Sequence, residues 1–169
     1  AKLQDKMEQY NLVNKLNIPV PKTLEFSNDV NSILSENLRY PLFIKGRDVN
    51  RWRKYISSSV KGIKISDSSE LNNVLISFKK LKVPIIIQEI VKSTDRENFK
   101  YCVFIGENNS ISFSMAKIHQ YPIGFGIGSS AISVLNSELN AIGSKLFKEI
   151  NYKGMGSAEF KYDNRDKCL

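Results

Sequence analysis

Leu3, Met7, Tyr10, Val13 and Leu16 recur at three- and four-residue intervals, which predicts an amphipathic helix over residues 3–16. Pro19 and Pro21 end it by forcing extended backbone, and Thr23 to Phe26 reads as a short strand. Asn28 is placed to cap a second helix carrying Val30, Ile33, Leu34 and Leu38 on one face. Pro41 stops that helix, and LFIK follows as a buried strand ending on Lys45. Residues 46–59, GRDVNRWRKYISSS, keep neither period and predict a long mobile loop. VKGIKI is the next strand, and Asp67 to Glu70 (DSSE) forms a capping box for a third helix. Leu71, Val74, Leu75 and Phe78 give that helix its apolar face.

The second half has a different rhythm. Pro84 opens IIIQEIV, an apolar strand long enough to be covered on both faces. Residues 98–106 and 111–119 alternate apolar and polar across GENNS, which predicts an antiparallel hairpin. The glycine-rich loop YPIGFGIGSS then runs into a fourth helix with Leu135, Leu139, Ile142, Leu146 and Ile150 on one face. Ser157 to Tyr162 reads as a final strand, DNRD as a turn, and Lys167 to Leu169 as the start of a returning strand. Strands do not simply alternate with crossover helices, so two α+β lobes joined near residues 88–92 fit better than a doubly wound parallel sheet. The expected division is a lead-in helix over 1–19, a first lobe over 20–90 and a second over 91–169.

Composition narrows the class. The 169 residues are 41% hydrophobic and 25% charged, ordinary globular usage, and no apolar run approaches a bilayer span of roughly 20 residues. Cys102 and Cys168 lie far apart and His119 is the single histidine, so no zinc set can be assembled and a reducing cytoplasm is the plain reading. The net charge of +8 raises a nucleic-acid reading. The lysines are scattered, however, and no aromatic residues interleave with them as an RNA-binding sheet requires. A phosphate-bearing small ligand accounts for a basic site equally well.

Several residues are candidates for chemistry. Lys45 ends a buried strand, where its ammonium could meet a phosphate or simply reach water. GFGIGSS lacks the GxGxxG spacing and reads more readily as a flexible turn than as a phosphate cradle. Gln88 and Glu89 interrupt an apolar strand, which either emerges into a cleft there or twists out at its end. Glu159 faces solvent or a metal. His119 has no acid or nucleophile near it in sequence. Trp52, among Arg47, Arg51, Arg53 and Lys54, belongs to a cluster that grips an anion or solubilises a loop.

In order and spacing, these pieces resemble the ATP-grasp superfamily, especially its carbamoyl-phosphate-synthetase-like and D-aspartate-ligase-like members. The resemblance begins at Asp5 and Lys6 with IPVPKT and covers nearly the whole chain. It implies an α+β fold of two lobes, with mainly antiparallel sheets and a nucleotide cleft between them. YPLFIK is similar to the strand whose lysine holds nucleotide phosphates, here Lys45, and the basic loop after it to the one that closes over them. IIIQEIV resembles the hinge strand that recognises adenine, which implicates Gln88, Glu89, Ile90 and Val91. Glu97, or Asp95 in competition with it, corresponds to the acid on the ribose. AKIHQYPIGFGIGSS carries a basic residue toward the phosphates, here Lys117. GSAEFKYDNRD resembles the strand bearing the first magnesium-ligand acid, here Glu159.

The resemblance implies ATP and magnesium as cofactors, and a carboxylate and an amine, both unidentified, as substrates. The activity implied is ligation through an acyl phosphate, with a noncatalytic nucleotide-binding module as the alternative. Two departures stand out. The loop after Lys45 lacks the family's usual glycine-rich run, and no E-x-N-x-R run completes the magnesium site. The sequence therefore resembles a truncated ATP-grasp core, expected to bind nucleotide without turnover and to leave a strand edge open to a second copy.

Overall fold

The structure is a computed structural model that describes residues 5–121 and 127–169, apart from the side chains of Asp95, Ile118, Gln120 and Ile127. The chain divides into two compact units, Ala1–Ile90 and Val91–Leu169. In the first, α1 (Lys6–Lys15), β1 (Thr23–Glu25), α2 (Val30–Leu34), β2 (Leu42–Gly46), α3 (Val49–Tyr55), β3 (Ile63–Ile65), α4 (Ser68–Leu81) and β4 (Ile85–Glu89) follow one another. The strands form one antiparallel sheet in the order β1-β4-β2-β3. All five residues of β4 are buried, as expected of an isoleucine-rich strand with neighbours on both edges.

Leu71, Leu75 and Phe78 bury the apolar face of α4 against this sheet, and the Asp67 carboxylate caps the helix by accepting from Glu70 N at 2.9 Å. Glu70 reaches back to Ser66 N at 2.7 Å, which gives the predicted box one residue of offset. The second helix departs from expectation. Asp29, not Asn28, caps it by accepting from Asn31 N and Ser32 N, and Asn28 takes a positive φ of 70° just before the cap. The helix is five residues long, so Leu38 reaches the core from irregular chain beyond it.

Residues 46–59 are not a mobile loop throughout. Asp48 accepts from Arg51 N at 2.8 Å and starts α3, on which Trp52 is only 3% exposed. The Trp52 ring stacks on Phe78 with centroids 5.9 Å apart, and its Nε1 donates to the Val60 carbonyl at 2.7 Å. A Cβ on Gly46 would lie 2.5 Å from the Trp52 Cβ, so the glycine lets the helix turn tightly off β2.

In the second unit, a 3-10 turn (Asp95–Glu97) leads into β5 (Asn98–Ile105), β6 (Ser110–Tyr121), β7 (Ile127–Ser133), α5 (Ser137–Glu149) and β8 (Gly154–Lys161). The antiparallel sheet order is β7-β6-β5-β8. The hairpin is as expected, but β7 was not: the glycine-rich stretch from Ile127 onward pairs with β6 instead of entering the helix directly. Leu135 lies before α5 and is fully exposed, while Leu139 and Phe147 are buried. Tyr101, Val103, Leu139, Phe147 and Leu169 form the centre of this unit's core. Gly143 sits directly under the Tyr101 ring, where a Cβ would come within 2.4 Å of Cγ, so its absence sets how closely α5 approaches the sheet. After β8, Asp163 and Cys168 form an isolated antiparallel bridge around the DNRD turn. Among the described residues Cys102 and Cys168 form no disulfide, and no helix is long and apolar enough to cross a membrane.

Candidate nucleotide site

In the first unit, three elements converge on Lys45. Strand β2 carries Lys45, β4 carries Gln88 and α1 carries Tyr10. The Lys45 ammonium donates to Tyr10 Oη at 2.9 Å and to Gln88 Oε1 at 2.9 Å. It lies 5.1 Å from the Tyr10 ring centre, so it sits at the hydroxyl end and not against the ring face. Both partners are neutral, and among the described residues no carboxylate pairs with Lys45.

Lys6 stands near enough for the two charges to interact. Burial pushes its ammonium below the ordinary lysine range, the charge of Lys45 adds to the fall, Asp48 offsets part of it and Arg53 reinforces it. Its ammonium makes no hydrogen bond or ion pair among the described residues. The backbone here is fixed from both ends: Lys6 N donates to Arg47 O at 3.3 Å, and Arg47 Nε donates to Asp5 Oδ2 at 2.7 Å. Arg47 also pairs with Glu25. Two cations with too little negative charge around them make a place suited to an anion.

Gln88 and Glu89 are 8% and 3% exposed. Neither is aimed into open solvent. Glu89 accepts from Arg39 N at 2.9 Å and from Arg39 Nε at 2.7 Å, which satisfies the buried carboxylate. Backbone N–H groups of Glu89 and Ile90 are committed to Lys22 O and Pro41 O. Val91 N–H has no partner among the described residues.

The second unit carries the remaining candidates. Glu97 accepts from Thr94 N at 2.5 Å and from Asn164 Nδ2 at 2.7 Å, both on Oε2. The Thr94 backbone N–H, and then its side chain, hold the carboxyl below the usual range, with Asn164 and Lys167 adding to the effect. This ties the 3-10 turn to the DNRD turn. The side chain of its competitor Asp95 lies outside the described set.

Lys117 on β6 reaches across β5 to Glu159 on β8, with Nζ and Oε1 3.1 Å apart. The ammonium side is largely covered and the carboxylate is 62% exposed. One exposed carboxylate suits one ligand position of magnesium, which takes its other oxygens from phosphates and water. Among the described residues, no three of His, Cys, Asp and Glu gather closely enough to hold a metal alone. His119 is exposed, Trp52 is buried in the first unit's core, and Gly124 and Gly126 of the glycine-rich stretch lie outside the described residues.

Sequence reasoning missed Tyr10, Thr23 and Arg39. Tyr10 was legible in the sequence only as part of an apolar face.

No protein-family model matches the sequence, and no curated protein matches it. Solved structures do. An N5-carboxyaminoimidazole ribonucleotide synthetase in complex with ADP superposes with a TM-score of 0.69 at 15% identity, over 98% of this chain and 42% of that one. A carboxyaminoimidazole ribonucleotide synthase of Aspergillus clavatus, complexed with ATP, gives 0.68 at 15% identity, over 99% and 43%. A D-Ala:D-Ser ligase of Enterococcus faecalis gives 0.68 at 17% identity, over 99% and 51%. The chain thus spans about half or less of the length of each. These are ATP-grasp proteins, and with its two antiparallel four-stranded sheets and accompanying helices this chain has the ATP-grasp fold.

Proposed function

We propose that this chain is the ATP-binding core of a ligase that joins a carboxylate to an amine through an acyl phosphate. The observation that carries the reading is the pair of under-neutralised cations, Lys45 and Lys6, beside a sheet of ATP-grasp topology. Lys45 and Lys6 would take the nucleotide phosphates, Lys117 would contribute a further positive charge, and the backbone of Gln88, Glu89, Ile90 and Val91 would face adenine. Val91 supports that assignment because its N–H is unspent. Glu97 would accept from the ribose hydroxyls, its carboxylate being oriented by Thr94 and Asn164.

Glu159 would hold magnesium, which supplies neutralisation of the phosphate oxygens when bound. To do so through Oε1 it would part from Lys117, whose ammonium would then be free to meet phosphate. In the reaction, a carboxylate oxygen attacks the γ-phosphorus and ADP leaves. The amine nitrogen then attacks the acyl carbon, loses a proton and expels phosphate. The residues named here orient and neutralise; none is assigned to proton transfer.

A noncatalytic nucleotide-binding module is the second reading, favoured by the absence, among the described residues, of a cluster of three acids or other metal ligands around Glu159. Titration calorimetry with ATP, with and without magnesium, tests the shared claim. Binding should be seen and should tighten with magnesium, and Glu159→Gln should abolish the tightening. An absence of ATP binding at millimolar concentration contradicts both readings, and ATP-dependent ligation by this chain alone would overturn the expectation that it binds nucleotide without turnover.

A further inference from the structure

The hydroxyl of Thr23 donates to the Pro21 carbonyl at 2.8 Å. Its one proton is spent, so toward Gln88 it can only accept, and Gln88 Nε2 donates to it at 2.7 Å. That fixes which way the Gln88 amide faces. The carbonyl oxygen must then point the other way, where it receives Tyr10 Oη–H at 3.3 Å and the Lys45 ammonium at 2.9 Å. Tyr10 donates to Gln88, so its own lone pair is left to accept from Lys45 at 2.9 Å. Every proton in the relay from Pro21 to Lys45 has one consistent direction.

We infer that Tyr10 and Gln88, with Thr23 behind them, are positioning residues that hold the Lys45 ammonium and leave it one N–H for an anionic oxygen. An ammonium has three donors, and two are spent on these neutral acceptors. A lysine stem otherwise carries large rotamer freedom, so fixing it beforehand removes an ordering cost that would fall on ligand binding. Neutral acceptors do this without cancelling the charge, as a carboxylate in the same place would. The inference rests on the phosphate reading of Lys45.

The test compares ATP–magnesium with adenosine by titration calorimetry on four variants of the whole chain. Tyr10→Phe removes one acceptor with little change of shape. Thr23→Val removes the acceptor that orients Gln88, two contacts away from Lys45, and Thr23→Ser restores it. Each of the first two should weaken ATP about tenfold, the scale of one hydrogen bond to a charged group, with adenosine unchanged and Thr23→Ser close to wild type. A general packing defect would weaken both ligands, and would overturn the inference. Lys45→Ala separates the two layers. If it weakens ATP while Tyr10→Phe and Thr23→Val bind ATP as well as wild type or better, the positioning role is wrong and the phosphate site stands. If Lys45→Ala leaves ATP unaffected, the phosphate reading falls and the inference with it.

Discussion

Lys6 surrenders its proton more readily than an ordinary lysine, because burial and the neighbouring charge of Lys45 both disfavour its ammonium. An anion at this site reverses that balance. ATP affinity should therefore fall as pH rises through the depressed pKa, below the ordinary 10.5, and binding in that window should take up protons. Calorimetry in buffers of different ionisation heat reads the uptake directly, and Lys6→Arg, which stays charged, should flatten the pH profile. A wild-type profile flat up to the ordinary lysine range would remove Lys6 from the site. Lys45 was legible in the sequence as a lysine closing an apolar strand. Its partners were not, because Tyr10, Thr23 and Gln88 come from three elements separated by up to 78 residues.

Helix α1 buries no residue fully, and Asp5 both caps it and pairs with Arg47. Burial raises the Asp5 carboxyl, but the Arg47 side chain and the Glu8 and Met7 N–H groups outweigh it, and the net shift is downward. A lowered folded pKa contributes stability above the unfolded value of about 3.9 and loses it as pH falls through the folded one. Protection of the α1 amides, relative to their intrinsic exchange rates, should thus fall on acidification below about pH 4, and Asp5→Asn should abolish that dependence. The neighbouring α3 makes a different demand. Trp52→Ala should cost about 3–5 kcal/mol in denaturant unfolding, as loss of a buried aromatic does and loss of a loop residue does not. Its helical signal existed in Val49, Trp52 and Ile56, but five charged residues between 47 and 54 hid it. Gly143→Ala, in the middle of α5, should destabilise by about 1–3 kcal/mol despite alanine's better helix propensity, because the added methyl meets Tyr101. Strand β7 escaped notice for a related reason: glycine and serine carry little strand propensity, and its pairing with β6 supplies what composition does not.

At the scale of the whole molecule, the two units have separate cores, one centred on β4 and α4, the other on β5 and α5. Hydrogen exchange in Trp52→Ala should quicken at Ile85–Glu89 and leave Tyr101 and Val103 protected; equal loss in both would show one cooperative unit. The fold class was readable because hydrophobic period and turn chemistry agree along most of the chain, and agreement across levels is what specifies a fold. The anion site was only half readable, since periodicity locates strands and not the side chains that meet at their ends. The most direct test of that site is the difference in binding free energy between ATP–magnesium and adenosine, measured for wild type and Lys45→Ala. The difference should shrink in Lys45→Ala by about 1.5–3 kcal/mol, the worth of a charge-assisted contact, while adenosine binding holds constant. An unchanged difference would mean that Lys45 meets no phosphate, and that the site described here is not a nucleotide site.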